Sequence, residues 1–165
     1  MPGETSLDLA ARTAGWPDDA RAALAALVAE LRPSARHLRD VLDWLDDIAA
    51  RDGTQPGAVL ADPELCAIAA GQGSGPDRLK RWKARLRRLR YPRLAAREGT
   101  IAEHVRAMAC GPAVTIAPPP GLEGGVVTVT VRVRSAAELA DAVETLRQRI
   151  ARGDVARLFA LLDEA

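Results

Sequence analysis

The stretch DRLKRWKARLRRLRYPRL, residues 77–94, decides how the rest of the chain is read. Its apolar residues recur at intervals of three and four: Leu79, Trp82, Leu86 and Leu89. This spacing predicts a helix with one narrow apolar stripe that docks on a core, so Trp82 is expected to be buried. The helix should end at Tyr91, because a residue that precedes a proline leaves the α region.

The other faces of this helix are basic. Ten cations lie in residues 77–97: Arg78, Lys80, Arg81, Lys83, Arg85, Arg87, Arg88, Arg90, Arg93 and Arg97. The single acid in residues 77–97 is Asp77, so this segment has a net charge of +9. The whole chain has a net charge of +1. The rest of the chain holds 13 basic and 21 acidic groups, which give it a net charge of −8. Such charge asymmetry indicates an acidic partner.

The predominance of arginine among these cations favours a nucleic-acid partner. Its guanidinium grips phosphate oxygens with two parallel hydrogen bonds, and each neutralised phosphate releases counterions. We therefore predict a non-catalytic accessory protein that contacts the phosphates of DNA, or less readily RNA, through the ten cations. Arg81, Arg85 and Arg88 are expected to form an exposed ridge opposite the apolar stripe.

An acidic protein could take the place of nucleic acid. Residues 35–51 predict a second amphipathic helix whose outer face carries four acids: Asp40, Asp43, Asp46 and Asp47. The basic helix could pair with this face, or with an acidic neighbour if the chain is a small adaptor or regulatory subunit. A membrane partner is not expected, because the apolar stripe has one aromatic residue and is needed for the core.

The expected fold class is α+β and predominantly α-helical: an N-terminal part like a helical bundle, then a β-hairpin packed under one or two C-terminal helices. The organisation runs as a flexible arm (1–15), a helical part (16–70), a GQGSGP linker (71–76), the basic helix and its successor (77–111) and a β-hairpin–helix unit (112–165). Ser34 and Asp62 are predicted helix N-caps, and Gly53 a C-terminal cap.

The C-terminal unit has strand-like alternation in AVTIA, residues 113–117, and in VVTVTVRV, residues 126–133. A following helix should cover the valine face with four apolar residues: Leu139, Val143, Leu146 and Ile150. Because an isolated hairpin is marginally stable and its edge is a template for pairing, we predict that the chain forms a homodimer through the hairpin edge or inserts its β element into a larger assembly.

Catalytic and metal-binding patterns are not found. His37 and His104 have no third ligand or nucleophile at a useful spacing, and the aspartates of the second helix are interpreted as a solvated face. No enzyme activity, cofactor or metal is predicted. Cys66 and Cys110 are expected to be buried thiols in a reducing compartment. With neither a secretory leader nor an apolar run long enough to span a bilayer, a cytoplasmic protein is predicted.

Overall fold

A computed structural model of the chain describes residues 9–164, which form two compact units: unit 1 extends to Pro92 and unit 2 begins at Arg93. The described residues are mainly helical, with one antiparallel pair of strands. This confirms the predicted α+β, predominantly helical class. The first eight residues of the predicted arm lie outside the described part, and residues 9–12 are helical.

Unit 1 is built from helices. After the helical turn at 9–12 they are α1 (Asp18–Leu31), α2 (Ala35–Asp52), α3 (Pro56–Leu60), α4 (Pro63–Ala70) and α5 (Gly75–Arg90). The predicted caps are confirmed: the Ser34 hydroxyl accepts the His37 N–H, the Asp62 carboxylate accepts the Leu65 N–H, and Gly53 is left-handed at φ 63°. Each cap satisfies a backbone group that the helix end leaves without an internal partner.

The basic helix α5 begins earlier than the sequence indicated. Ser74 is its N-cap and accepts the Asp77 N–H, while Pro76 occupies the first turn, where proline needs no amide donor. The segment before α5 is therefore shorter than the six-residue stretch 71–76. The end of α5 is as predicted, because Arg90 is its last residue and Tyr91 its C-cap.

The core of unit 1 is a single apolar cluster. It takes residues from every helix of the unit: Leu24, Leu31, Leu38, Val41, Leu42, Leu45, Ile48, Val59, Leu60, Leu65, Leu79, Trp82 and Leu86. Trp82 is only 1% exposed, so its predicted burial is confirmed. Since α5 enters the core along one stripe, its other faces are left for charged contacts.

Unit 2 contains the sheet. Its elements are α6 (Pro92–Ala107, of which Pro92 falls in unit 1), β1 (Val114–Ala117), β2 (Thr128–Val131), α7 (Ala136–Ala151) and α8 (Asp154–Asp163). The strands pair from Val114 opposite Val131 to Ala117 opposite Thr128. Its buried cluster is Ile101, Met108, Val114, Ile116, Ala142, Leu158, Leu161 and Leu162.

Two predictions for unit 2 were wrong in detail. Strand β2 has four residues instead of about eight, because β1 offers only four partners. On α7 the half-buried Leu146 joins the core, but Leu139, Val143 and Ile150 are 46%, 55% and 62% exposed. The helix is rotated so that Ala142 faces the core, and most of its apolar stripe is left uncovered.

The cysteine prediction was also wrong in part. Both cysteines are free, but Cys66 is exposed and Cys110 is half-buried. Cys66 lies in the second turn of α4, whose buried position is taken by Leu65 instead. Within residues 9–164, no helix is both long enough and apolar enough to cross a bilayer.

Candidate nucleic-acid interface

The cations of α5 divide between two flanks and an outer face. On the flank toward α2, Lys83 lies 2.8 Å from the Asp40 carboxylate and Arg90 lies 2.5 Å from that of Asp47. Both pairs are 43 positions apart in sequence, and they lie seven residues from each other on each helix. The two helices therefore run parallel, and two of the four acids of the outer face of α2 are neutralised by α5.

The α2 flank also packs against an indole ring. The Lys83 ammonium is 5.3 Å and the Arg90 guanidinium 5.7 Å from the centre of the Trp44 ring, within the range of cation–π attraction. The hydrogen bond from Lys83 holds the pKa of Asp40 below its usual value. These cations are held by unit 1 and leave little charge for an external ligand.

The flank toward α4 is paired as well. Arg85 donates to both carboxylate oxygens of Asp62, at 2.8 and 3.2 Å, and lies 2.9 Å from Glu64. The hydrogen bond lowers the pKa of Asp62 and raises that of Arg85. Arg78 donates to Glu30 and to the Ala69 carbonyl.

The exposed-ridge prediction was therefore wrong for Arg85, whose side chain is 25% exposed and bound between Asp62 and Glu64. The reason is geometric. At about 100° per residue, Arg85 lies on the same side of α5 as Arg78, facing α4, while Arg81 and Arg88 point away from the core. Nothing in the sequence shows which neighbour borders each side of α5.

The outer face of α5 consists of Lys80, Arg81 and Arg88. All three side chains are exposed. Within residues 9–164 none of them forms an ion pair, and Arg81 uses one donor to bind the Gln72 carbonyl at 2.7 Å. A guanidinium has five N–H donors, so Arg81 can still donate most of its hydrogen bonds to a ligand. This outer face is the candidate nucleic-acid interface.

The other predicted contact residues have different surroundings. Arg87 is half-buried and has an interaction of its own. Arg93 and Arg97 belong to unit 2, where Arg93 is exposed and Arg97 half-buried on α6. The ten predicted cations thus lie on two helices, eight on α5 and two on α6.

A second basic group was missed. The segment RPSARHLR, residues 32–39, joins α1 to α2 and carries three arginines and a histidine without an acid. Arg32, Arg36, His37 and Arg39 are all exposed. Arg32 has φ 46° and ψ 54°, a left-handed conformation that is uncommon for arginine. The basic run was a visible signal in the sequence, although it is shorter than the run at 77–97.

The acids on the outer face of α2 form ion pairs within unit 1. Arg12 lies 2.9 Å from Asp43 and 3.0 Å from Asp46, and these hydrogen bonds raise the pKa of Arg12. Among the described residues no three histidine, cysteine or carboxylate side chains are grouped as a metal site requires. His104 lies in unit 2, where its Nε2 is 2.8 Å from the Asp154 carbonyl oxygen.

The chain matches no family model, no curated protein and no solved structure. Any conclusion about its function therefore depends on the geometry of the chain itself.

Proposed function

We propose that the protein is a non-catalytic nucleic-acid-binding protein, and that it contacts phosphates through the outer face of α5. The supporting observation is that Lys80, Arg81 and Arg88 are exposed and form no ion pair among the described residues. Arg36 and Arg39, on the parallel helix α2, are exposed as well. DNA is the first polymer to test, because its regular phosphate spacing suits a rigid helix.

The internal ion pairs limit the strength of this binding. The logarithm of the affinity for duplex DNA falls with the logarithm of salt concentration by about 0.9 per neutralised phosphate. Three cations on the outer face then give a slope of about −3, whereas ten would give about −9. The proposed binding is weak, sensitive to salt and independent of sequence.

Reversing the outer face should abolish the binding. We expect the variant Lys80→Glu/Arg81→Glu/Arg88→Glu to lose duplex binding at low salt, because three phosphate contacts become repulsive. Fluorescence anisotropy with a labelled duplex at several salt concentrations measures both the loss and the wild-type slope. A single-stranded oligonucleotide of the same length, measured in parallel, compares the two forms.

The matched control is Arg106→Glu/Arg132→Glu/Arg152→Glu, which changes the net charge equally at exposed positions of unit 2. It should keep most of the affinity. Circular dichroism of both variants checks that the helices are intact. Wild-type affinity in the outer-face variant, or equal losses in both variants, would refute the proposed interface.

A second candidate function is that of an adaptor whose basic helix docks on an acidic protein. It is favoured by the observation that four cations of α5 already bind carboxylates of their own unit: Arg78, Lys83, Arg85 and Arg90. The same outer face would then bind aspartate and glutamate side chains. A poly-glutamate peptide that binds as tightly as DNA at equal salt would favour the adaptor.

We also propose that the chain forms a homodimer through the edge of β2. The described sheet has two strands, and Val126 and Val129 are exposed beside the edge. The Arg132 N–H donates to the Ala113 carbonyl oxygen, on the side of β1. Successive N–H groups of a strand point to opposite sides, so the Val129 N–H, three residues earlier, points away from β1 toward the unpaired edge of β2. This edge can therefore accept a strand from a second copy.

Light scattering at micromolar concentration tests the dimer. We expect a dimer for the wild type and a monomer for Val129→Lys, because two-fold pairing would bring the two lysines close together. Ala151→Lys, which adds the same charge at an exposed position of α7, should stay dimeric. A monomeric wild type would contradict the proposal.

A further inference from the structure

A cleft of about 990 Å³ opens in unit 1 between the end of α1, the start of α2 and the start of α5. Its polar lining contains one acid, Glu30, and is otherwise neutral or basic: Arg32, Ser34, His37, Arg78, Lys80 and Lys83. Leu31, Pro76 and Leu79 form an apolar part of the wall. The size lies at the upper end of the range for small-molecule sites in proteins. We call this feature the basic cleft.

The charges of the basic cleft do not balance. Lys83 is paired with Asp40, and Arg78 with Glu30. Arg32 and Lys80 form no ion pair within residues 9–164. Two positive charges, both on exposed side chains, are therefore left over, and a concave surface lined by one sign of charge attracts an anion more strongly than a flat surface does.

Arg78 is the most buried cation of the cleft lining. Its side chain is only 14% exposed, and its buried Nε has no hydrogen-bond partner among the described residues. A buried donor without a partner is costly, so an unpaired guanidinium nitrogen in a cleft-lining residue calls for an explanation. The Nε has almost no accessible surface, so it is not itself a contact for an anion in the cleft.

The backbone at Arg32 fits the same interpretation. This residue caps the C-terminus of α1 in the left-handed region, where glycine is the usual choice. An arginine occupies this position although the conformation is less favourable for it than for glycine. Arg32 lines the cleft together with Lys80 and with Ser34 and His37 from the start of α2.

We propose that the basic cleft binds a phosphomonoester carried on a small apolar or aromatic body. A phosphomonoester has a charge of about −1.5 to −2 at neutral pH, which balances Arg32 and Lys80, and its three oxygens accept several donors at once. The body would lie on Leu31, Pro76 and Leu79. This site is separate in function from the outer face of α5, although Lys80 contributes to both.

Calorimetry with phenyl phosphate tests the cleft. We expect saturable binding to the full chain, at least about tenfold tighter than that of benzoate, which has one negative charge and fewer acceptors. Arg32→Gly and Arg32→Asn should each weaken phenyl phosphate binding by about tenfold or more, the usual consequence of losing a charge-assisted contact. Both replacements tolerate the left-handed conformation, so the unfolding temperature should be unchanged or higher.

Competition identifies the source of the phosphate. Displacement of phenyl phosphate by a nucleoside 5′-monophosphate indicates a free small molecule as ligand. Displacement by a 5′-phosphorylated oligonucleotide, but not by its 5′-hydroxyl counterpart, indicates a nucleic-acid end. Either result supports the site, because both ligands carry the same phosphomonoester.

The variant Arg88→Gln distinguishes the basic cleft from the proposed nucleic-acid interface on the outer face of α5. Arg88 belongs to the outer face and does not line the cleft, so the variant should weaken duplex binding and leave phenyl phosphate binding unchanged. Absence of saturable phenyl phosphate binding, or equal affinity in the wild type and both Arg32 variants, would overturn the cleft site. Neither result would affect the outer-face proposal.

Discussion

Replacing Trp82 with alanine should lower the free energy of unfolding of unit 1 by about 3 to 5 kcal/mol. The indole is 1% exposed within the cluster that α5 shares with the other helices. Truncation removes its burial and leaves a cavity that a close-packed core fills only in part. The three tryptophans of the chain, Trp16, Trp44 and Trp82, all belong to unit 1, so the fluorescence of the remaining two during urea denaturation reports on this unit.

Trp44→Ala is the matched control for this measurement. Trp44 is half-buried under the cations of α5, so its loss should cost about 1 to 2 kcal/mol, mainly in packing and cation–π contact. A Trp82→Ala protein that unfolds like the wild type but fails to bind single-stranded oligonucleotides would reverse our interpretation. Trp82 would then be a base-stacking residue.

Replacing Asp62 with alanine should cost about 2 to 3 kcal/mol, the second-largest effect we expect on stability. The Asp62 carboxylate has two tasks. It caps α4 by accepting the Leu65 N–H at 3.0 Å, and it binds Arg85 through both oxygens. A lost N-cap costs about 1 kcal/mol, and a lost charge-assisted contact in a partly buried site costs about as much or more.

Asp62→Asn separates the two tasks, because asparagine can still accept the Leu65 N–H but has no charge. We expect it to lose about half as much stability as Asp62→Ala. Arg85 keeps Glu64 as a partner at 2.9 Å in both variants, which limits the loss. Equal stability of Asp62→Asn and Asp62→Ala would mean that the cap contributes nothing.

The cost of Asp62→Asn should depend on pH in a defined direction. Arg85 lowers the pKa of Asp62 from its usual value of 3.8, so the carboxylate is more acidic in the folded chain than in the unfolded chain. Its contribution is therefore complete above the unfolded pKa and is lost as pH falls through the folded pKa. Urea denaturation at pH 7 and near pH 3 should show the difference between wild type and Asp62→Asn shrinking at the lower pH.

Local features were predictable from the sequence. The bounds of α2, the caps at Ser34 and Asp62 and the end of α5 before Pro92 result from interactions within a few residues. The burial of Trp82 was also predictable, because the apolar spacing of one helix defines its inner face without reference to its neighbours. The candidate interface was predicted only as a basic helix, without its division into flanks and an outer face.

Long-range features were not predictable. Whether Arg85 is free or paired depends on Asp62 and Glu64, which lie on another helix about twenty residues away. The exposure of Leu139, Val143 and Ile150 depends on how α7 is rotated over a short hairpin, since the same stripe would be buried under a wider sheet. Both outcomes are set by packing between elements, which the local pattern does not encode.

The sequence by itself determined the caps at Ser34 and Asp62, the end of α5, which stripe of α5 enters the core and how strongly charge is concentrated in residues 77–97. These properties depend on covalent geometry, capping and spacing along one element. Only the tertiary structure decided which cations are available to a partner. The parallel packing of α2 on α5 places Asp40 and Asp47 beside Lys83 and Arg90, and a charge that is already paired contributes little to binding a second anion.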